Sequence, residues 1–351
     1  MTIYIKGMGN ISPQRTWGSD DLLSSPLSYA GDKLSCVEPD YASFIDAKQI
    51  RRMSRVIKMG IASAAMAMKE ASVPMPDGII TATGYGCLED TGVFLSKMVG
   101  NREEALNPTP FIQSTHNTIG SQIALLLQCQ AYNQTYTHNA FSFENALLDA
   151  MLQLSEAPRR SLLAGGIDEI TGQSHEIQSR FGIFRKQSNN SLQLFSERSG
   201  TFHGEGSAFF VLSGTPGEND IASVNALTSV YKPSYAELTE AVRNFLSQAG
   251  VTLTDVDLVL SGKSGDALSD GHINRVCGDL FTTTPVGAFK HLCGEYPVAS
   301  AFGCWLAARM LKAQRVPEIV TPQYEGQQLK NILLINQYFG THYSLILLKA
   351  C

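Results

Sequence analysis

The sequence predicts an α/β protein made of two duplicated α/β halves, and three observations carry that prediction. Ala71-Ser72-Val73 and Asp77 precede a strand ending Thr83-Gly84, and Ala249-Gly250-Val251 and Asp255 precede a strand ending Ser261-Gly262; the two runs superpose without a gap. Each run follows an apolar-periodic helix, over 62–68 in one case and 238–246 in the other. Both halves also close alike, with a glycine followed by an apolar strand, over 204–212 and 340–348. Helices alternating with strands imply mostly parallel sheets covered by helices on both faces. The halves span 1–214 and 221–351, and the turn-rich run 213–220 joins them.

In chain order, Ile3-Tyr4-Ile5 is a short strand closed by Gly7-Met8-Gly9. Residues 10–45, with Pro13, Pro26 and Pro39, read as loop. Asp46 caps one long helix through Ile50, Met53, Ile57, Ile61, Ala65 and Met68, which Pro74 and Pro76 end. A buried strand follows at 78–84, then a helix over about 89–99, an irregular stretch at 107–117 and a helix over about 118–128. A polar strand at 132–137 turns through His138-Asn139-Ala140-Phe141-Ser142 into a helix marked by Phe143, Ala146, Leu147, Ala150, Met151 and Leu154. Ser161 to Gly166 is a buried strand ending in glycines. In the second half, a helix at about 298–312 after the His291 turn answers the helix after Ala140.

Of the 351 residues, 44% are hydrophobic and 17% charged, as in a globular protein with a large core. A net charge of −5 gives no electrostatic support to nucleic-acid binding. Arg51, Arg52, Arg55 and Lys58 make either a basic patch for an acidic partner or a solvated helix face. The seven cysteines are scattered, with no Cys-x-x-Cys pair, which points to reduced thiols in the cytoplasm and away from zinc. The first residues do not form a signal peptide, and no apolar run reaches membrane-spanning length.

The stretch 132–166 is the centre of interest. A strand that turns sharply into a helix sets the turn residue where free N–H groups and the positive end of the helix dipole converge, a favoured seat for a nucleophile. This turn holds Ala140 instead, with Ser142 two residues on. The stretch resembles the nucleophile elbow of β-ketoacyl synthases, where Thr-Ala-Cys-Ser-Ser precedes a helix and an Ala-Gly-Gly strand end. Counting back from Ala164-Gly165-Gly166 puts the cysteine position on Ala140, and a slip of two residues would put it on Ser142. Further pieces resemble the family in order: Ile5 to Pro13, Arg51 to Ala71, Gly84-Tyr85-Gly86, Thr109 to Thr115, Ser199 to Ser207, and Asn336 to Leu345, the last shortened by about one residue.

The resemblance implies a thiolase-like fold, with the two halves in a layered αβαβα arrangement, and a decarboxylative Claisen condensation run by a cysteine, two histidines and a lysine. Carried onto this chain, the first histidine falls on Ser261, with Lys263 as a nearby cation. The second falls on His291, either a retained polar group facing the cavity or a structural donor at a helix start. The lysine five residues earlier falls on Val286, so one of four catalytic positions survives. His138, Phe141, Phe339 and Lys263 are the candidates for lining a substrate cavity, although Phe339 equally suits a buried hairpin. The resemblance therefore implies a non-condensing subunit, like the chain-length factors of aryl-polyene and flexirubin-type pathways, that pairs with an active ketosynthase and meets an acyl carrier protein. Pairing would run through the edge strand at 132–137, giving a homodimer when the chain is alone, and no cofactor or metal is implied. Two other readings stay open: an active acyltransferase or condensing enzyme with a relocated nucleophile at Ser142 or Cys293, and an acyl-chain or carrier-binding module.

Overall fold

A single ten-stranded sheet runs through the computed structural model, which describes residues 2–18, 22–185, 189–196 and 200–351. Its strands are β1 (Ile3–Ile11), β2 (Gly78–Ala82), β3 (Tyr132–Tyr136), β4 (Ser161–Asp168), β5 (Gly206–Ser213), β6 (Ala222–Tyr231), β7 (Leu258–Gly262), β8 (Val286–Ala288), β9 (Asn331–Tyr338) and β10 (His342–Lys349). In space they lie in the order β3-β2-β4-β5-β1-β6-β10-β9-β7-β8. Read inward from either end, that order is the same twice over, with β3, β2, β4, β5 and β1 matched by β8, β7, β9, β10 and β6. An approximate two-fold axis therefore passes between β1 and β6, which pair antiparallel through Ile3 and Val224. Gly84, just past β2, and Gly262, at the end of β7, occupy equivalent strand ends, as the repeat requires.

The expectation of mostly parallel sheets needs correction. β2 runs parallel to β3 and β4, and β7 to β8 and β9. The five pairings between β4 and β9 are antiparallel. For β9 and β10 the cause is local: the Phe339–Thr341 connection is too short for a crossover and makes a hairpin.

Side-chain alternation along the strands divides the molecule into layers. The helices of ten residues or more are α1 (Arg55–Ala71), α2 (Leu88–Gly100), α3 (Thr118–Leu127), α4 (Ser142–Glu156), α5 (Tyr235–Gln248), α6 (Gly271–Leu280) and α7 (Ala299–Ala313). Ile80, Leu162, Leu260 and Leu334 point inward onto Phe143 and Leu147 of α4 and Phe302 and Leu306 of α7. Ile79 and Leu163 point outward to α1, and Val259 and Leu333 outward to α5 and α6. The result is the αβαβα layering, with α4 and α7 in the middle. Twelve of the fifteen α7 residues are buried, and its small, apolar surface all round suits an interior helix.

The long helix expected from Asp46 is two helices. Asp46 caps a short one, Ala47–Ile50, by accepting the Lys48 N–H, and α1 starts afresh after Ser54. The stretch 107–117 contains a short helix, Pro108–Gln113, capped by Asn107. α1 crosses closely over β1 because Gly7 and Gly9 have no side chain: a Cβ there would lie 2.3 Å from Ala67 O and 2.0 Å from Ser63 O.

The two ends of the sheet differ. β3 has one neighbour, and its first three residues are exposed. The outer side of β8 is covered by the following chain, with the Ala288 N–H donating to Val320 O at 3.0 Å. Among the described residues no helix is long and apolar enough to cross a membrane.

Candidate functional site

Beyond β3 the chain makes a one-turn 3-10 helix, Asn139–Phe141, and passes directly into α4. Asn139 takes a left-handed φ of 48°, which sharpens the turn. Ala140 is buried in this elbow and offers a methyl group where a nucleophile would sit. Ser142 is fully buried; its hydroxyl accepts the His138 N–H at 2.8 Å and lies 2.6 Å from Asn139 O and 3.0 Å from Thr83 O. It is a staple of the turn, with no imidazole on it. Cys293 is fully buried, and burial pushes its thiol well up, against thiolate formation. Neither alternative nucleophile is activated.

Gly84 lets other chain segments close on the elbow. A Cβ there would lie 2.3 Å from Pro297 Cβ and 3.4 Å from Asn139 O. Asp168, the last residue of β4, holds this junction: Oδ1 accepts from Thr83 Oγ1 at 2.7 Å, Gly84 N at 3.0 Å and Tyr85 N at 2.9 Å. Burial outweighs those bonds and raises its carboxyl to about 7. The Tyr85 hydroxyl meets that of Tyr338 at 3.0 Å.

A charged network stands behind the junction. Lys290 Nζ lies 2.8 Å from both carboxylate oxygens of Glu295 and also donates to Gln337 O. Gln337 Nε2 donates to Asp270 Oδ1 at 3.0 Å, and Asp270 also accepts the Ser264 and Gly265 N–H groups at 2.7 Å each. Burial raises Glu295 to about 7, against the pull of Lys290. The legible signal was a lysine and an acid five residues apart around Gly294, the spacing that the resemblance gives to the family's lysine and second histidine.

The other expected residues are placed differently. His291 faces Ile319 and Phe195: Nε2 lies 2.9 Å from Ile319 O, the ring packs edge-on against Phe195 at 5.3 Å, and Nδ1 has no hydrogen-bond partner among the described residues. Val286 opens β8 opposite Val259, and the amine of this segment is on Lys290. Ser261 shares the outward face of β7 with Val259 and accepts the Lys263 N–H at 3.3 Å, so the inward position at that strand end is Gly262. A Cβ at Gly262 would lie 2.4 Å from Asn336 Oδ1, leaving no room for an imidazole. Lys263 Nζ lies over the Phe195 ring at 4.4 Å, and burial lowers its pKa. His138 is exposed, with Nδ1 3.0 Å from Asn145 Nδ2. Phe141 is buried edge-on to His342 at 4.8 Å. Phe339 is half-buried on Tyr338 in the hairpin turn, with a φ of 46°. Of the loop 199–207, Ser199 lies outside the described residues.

The position of His291 has a measurable consequence. Burial lowers its pKa to about 4, while the unfolded imidazole titrates near 6.5. Between those values the unfolded chain binds the extra proton, so this group's contribution to stability is lost as pH falls. Asp168, Glu169 and Glu295, each raised to about 7, act in the opposite sense, since the folded state holds their protons longer. His291→Leu is therefore expected to remove about 2 kcal/mol of acid destabilisation at pH 5 relative to pH 7. Urea unfolding of both proteins at the two pH values checks this; an equal change in both would rule it out.

Residues 31–179 match the family model described as the N-terminal domain of β-ketoacyl synthase. No curated protein matches the sequence. Among solved structures, an ishigamide ketosynthase/chain length factor superposes with a TM-score of 0.81 at 17% identity, over 100% of this chain and 99% of that one. A β-ketoacyl synthase from Burkholderia phymatum gives 0.79 at 16% identity, over 99% of both chains. The ketosynthase ApeO with its chain length factor ApeC, from Xenorhabdus doucetiae, gives 0.75 at 15%, over 99% and 98%. At these identities the likeness establishes the fold.

Proposed function

We propose that this chain, whose residues 31–179 match the β-ketoacyl synthase N-terminal domain model, is a non-condensing, chain-length-factor-like subunit of the β-ketoacyl synthase family that pairs with an active ketosynthase in fatty acid- or polyketide-type chain elongation. The carrying observation is the elbow itself: a buried Ala140 at the helix start, with Ser142 consumed by the turn. The network behind it supports the same reading. We read Lys290 and Glu295 as standing at the family's lysine and second-histidine positions, with an acid in place of the imidazole. There the ammonium is neutralised by a carboxylate, and the pair is closed to a thioester oxygen that would need a free donor.

The partner would meet the β3 edge. Leu125 on α3 is 66% exposed, Leu152 on α4 is 59% exposed, and Tyr132 and Leu148 are exposed beside them. A cavity of about 770 Å3 opens there, lined by Leu125, Cys129, Asn133 and Thr135. An unpaired strand edge flanked by apolar side chains is a surface that needs a cover. Two of the structural neighbours are themselves named for a ketosynthase and a chain length factor, and another as an acyl-carrier protein in complex with its ketosynthase. We place the protein in the cytoplasm, paired with itself when made alone, and give it an acyl carrier protein as its second partner.

Two measurements test the reading. Intact mass after incubation with an acyl-carrier thioester is expected to show no adduct, and Ala140→Cys alone to allow slow acylation at best. Co-expression with a cysteine-bearing ketosynthase is expected to give a stable heterodimer, whereas a simple acyl-binding module would stay apart. A stoichiometric adduct on the unmodified chain, mapped to Ser142 or Cys293, would make it an acyltransferase and overturn the proposal.

A further inference from the structure

The two faces of β3 meet different neighbours, because alternate side chains point to opposite sides. Asn133 and Thr135 face the α3 layer: the Asn133 amide donates to Gly120 O at 3.0 Å, and the Thr135 hydroxyl meets that of Thr81 at 2.7 Å. Tyr132 and Tyr136 face α4 and converge on one carboxylate. The Tyr132 hydroxyl donates to Asp149 Oδ2 at 3.0 Å, and Gln153 Nε2 donates to Asp149 Oδ1 at 3.2 Å. Burial and the nearby Asp149 charge raise the pKa of the Tyr136 hydroxyl, which also hydrogen-bonds that carboxylate. The two tyrosines lie four residues apart, so the carboxylate between them stands level with Gln134, the middle residue of β3.

This carboxylate stands in otherwise neutral surroundings. α3 and β3 carry no charged side chain, and no lysine or arginine occurs from 118 to 155. The other acids of α4 are Glu144, which is buried, and Glu156, its last residue. Around Asp149 the exposed side chains are Tyr132, Leu148 and Leu152. A subunit that covers them strips water from Asp149, whose own donors are all neutral. A carboxylate dried in this way needs a positive charge beside it. A second copy of the chain brings the opposite. Two copies joined through β3 by a two-fold axis run antiparallel, and with all five residues paired the axis passes at Gln134. The two Asp149 carboxylates then lie on either side of the axis and repel.

We infer that the β3 edge is built for an unlike subunit, one that presents a lysine or arginine to Asp149 beside the two-fold position. The inference rests on the edge-pairing reading proposed above and adds the charge that the partner must carry. Strand edge and leucines supply the attraction common to any partner, and Asp149 supplies the choice between partners. Self-pairing is the weak association of this chain, and pairing with a cationic edge is the strong one.

The variant Asp149→Lys serves as the cationic partner. It is labelled with nitrogen-15, mixed with the unmodified full-length chain, and the dimers are counted by native mass spectrometry. The mixed dimer is expected to exceed the share given by random mixing, with an affinity about tenfold above that of either parent dimer. That preference is expected to shrink as salt is added. Asp149→Asn, which keeps an acceptor for Tyr132 and loses the charge, is expected to self-associate about tenfold more tightly than the unmodified chain in sedimentation equilibrium. This second variant decides the matter if Asp149→Lys does not fold. Random mixing of dimers, or self-association of Asp149→Asn no tighter than that of the parent, would overturn the inference and leave the edge-pairing reading standing. Monomers in every sample would overturn both.

Discussion

Lys290→Met is expected to destabilise the folded protein by about 3–5 kcal/mol at neutral pH, the usual cost of stranding one member of a buried ion pair. Lys290 and Glu295 are both fully buried, and the ammonium reaches both carboxylate oxygens at 2.8 Å. Without it, Glu295 must stay charged with no counterion or hold a proton. Its carboxyl is already raised to about 7, so the loss should shrink toward pH 5, where protonation is easy. The double variant Lys290→Met/Glu295→Leu removes both charges and should recover most of the stability. Urea unfolding at pH 8 and pH 5 reads all of these. If the double variant is as unstable as the single one, the bond from Lys290 to Gln337 O is the dominant contribution instead.

Asp168→Ala is expected to cost on the order of 3 kcal/mol and to loosen the loop that closes on the elbow. The substitution strands the Thr83 hydroxyl and the Gly84 and Tyr85 N–H groups together. Each buried donor left unpaired costs about 1–3 kcal/mol. Asp168→Asn keeps one acceptor oxygen and should lose less than half as much. Thermal unfolding gives the magnitude, and hydrogen exchange at Gly84 and Tyr85 gives the place. Unchanged protection of those two amides in Asp168→Ala would show that the loop is held by something else.

The parts of this protein that sequence reasoning reached are those encoded by spacing along one segment. The gapless match between the runs ending at Gly84 and Gly262 predicted the two-fold order of the sheet, and the strand–turn–helix pattern at Ala140 placed the elbow. The charged site was harder for a geometric reason. A strand changes face at every residue, so placing a side chain at 261 rather than 262 moves it from the central layer to the outer one. Lys290 and His291 are adjacent, and the histidine drew the reading. In the fold, the lysine turns to Glu295 and the histidine to Ile319. The break between Asp46 and Arg55 was hidden too, because no proline or glycine marks it and the apolar period runs on across it.

The unequal ends of the sheet bear on how this chain can assemble. Strand addition is possible at β3, whose outer side pairs with no strand among the described residues, and is blocked at β8, where the Val320 segment already takes the hydrogen bond. In the language of polymers, such a chain is a monofunctional monomer: joining at the reactive end leaves two inert ends facing outward. Association through β3 therefore terminates after one step, with a copy of itself or with a look-alike, and cannot propagate into a fibre. The duplication that built two equivalent halves also created two equivalent edges, and the short capped strand at one of them is what keeps a sheet of this size from growing without limit.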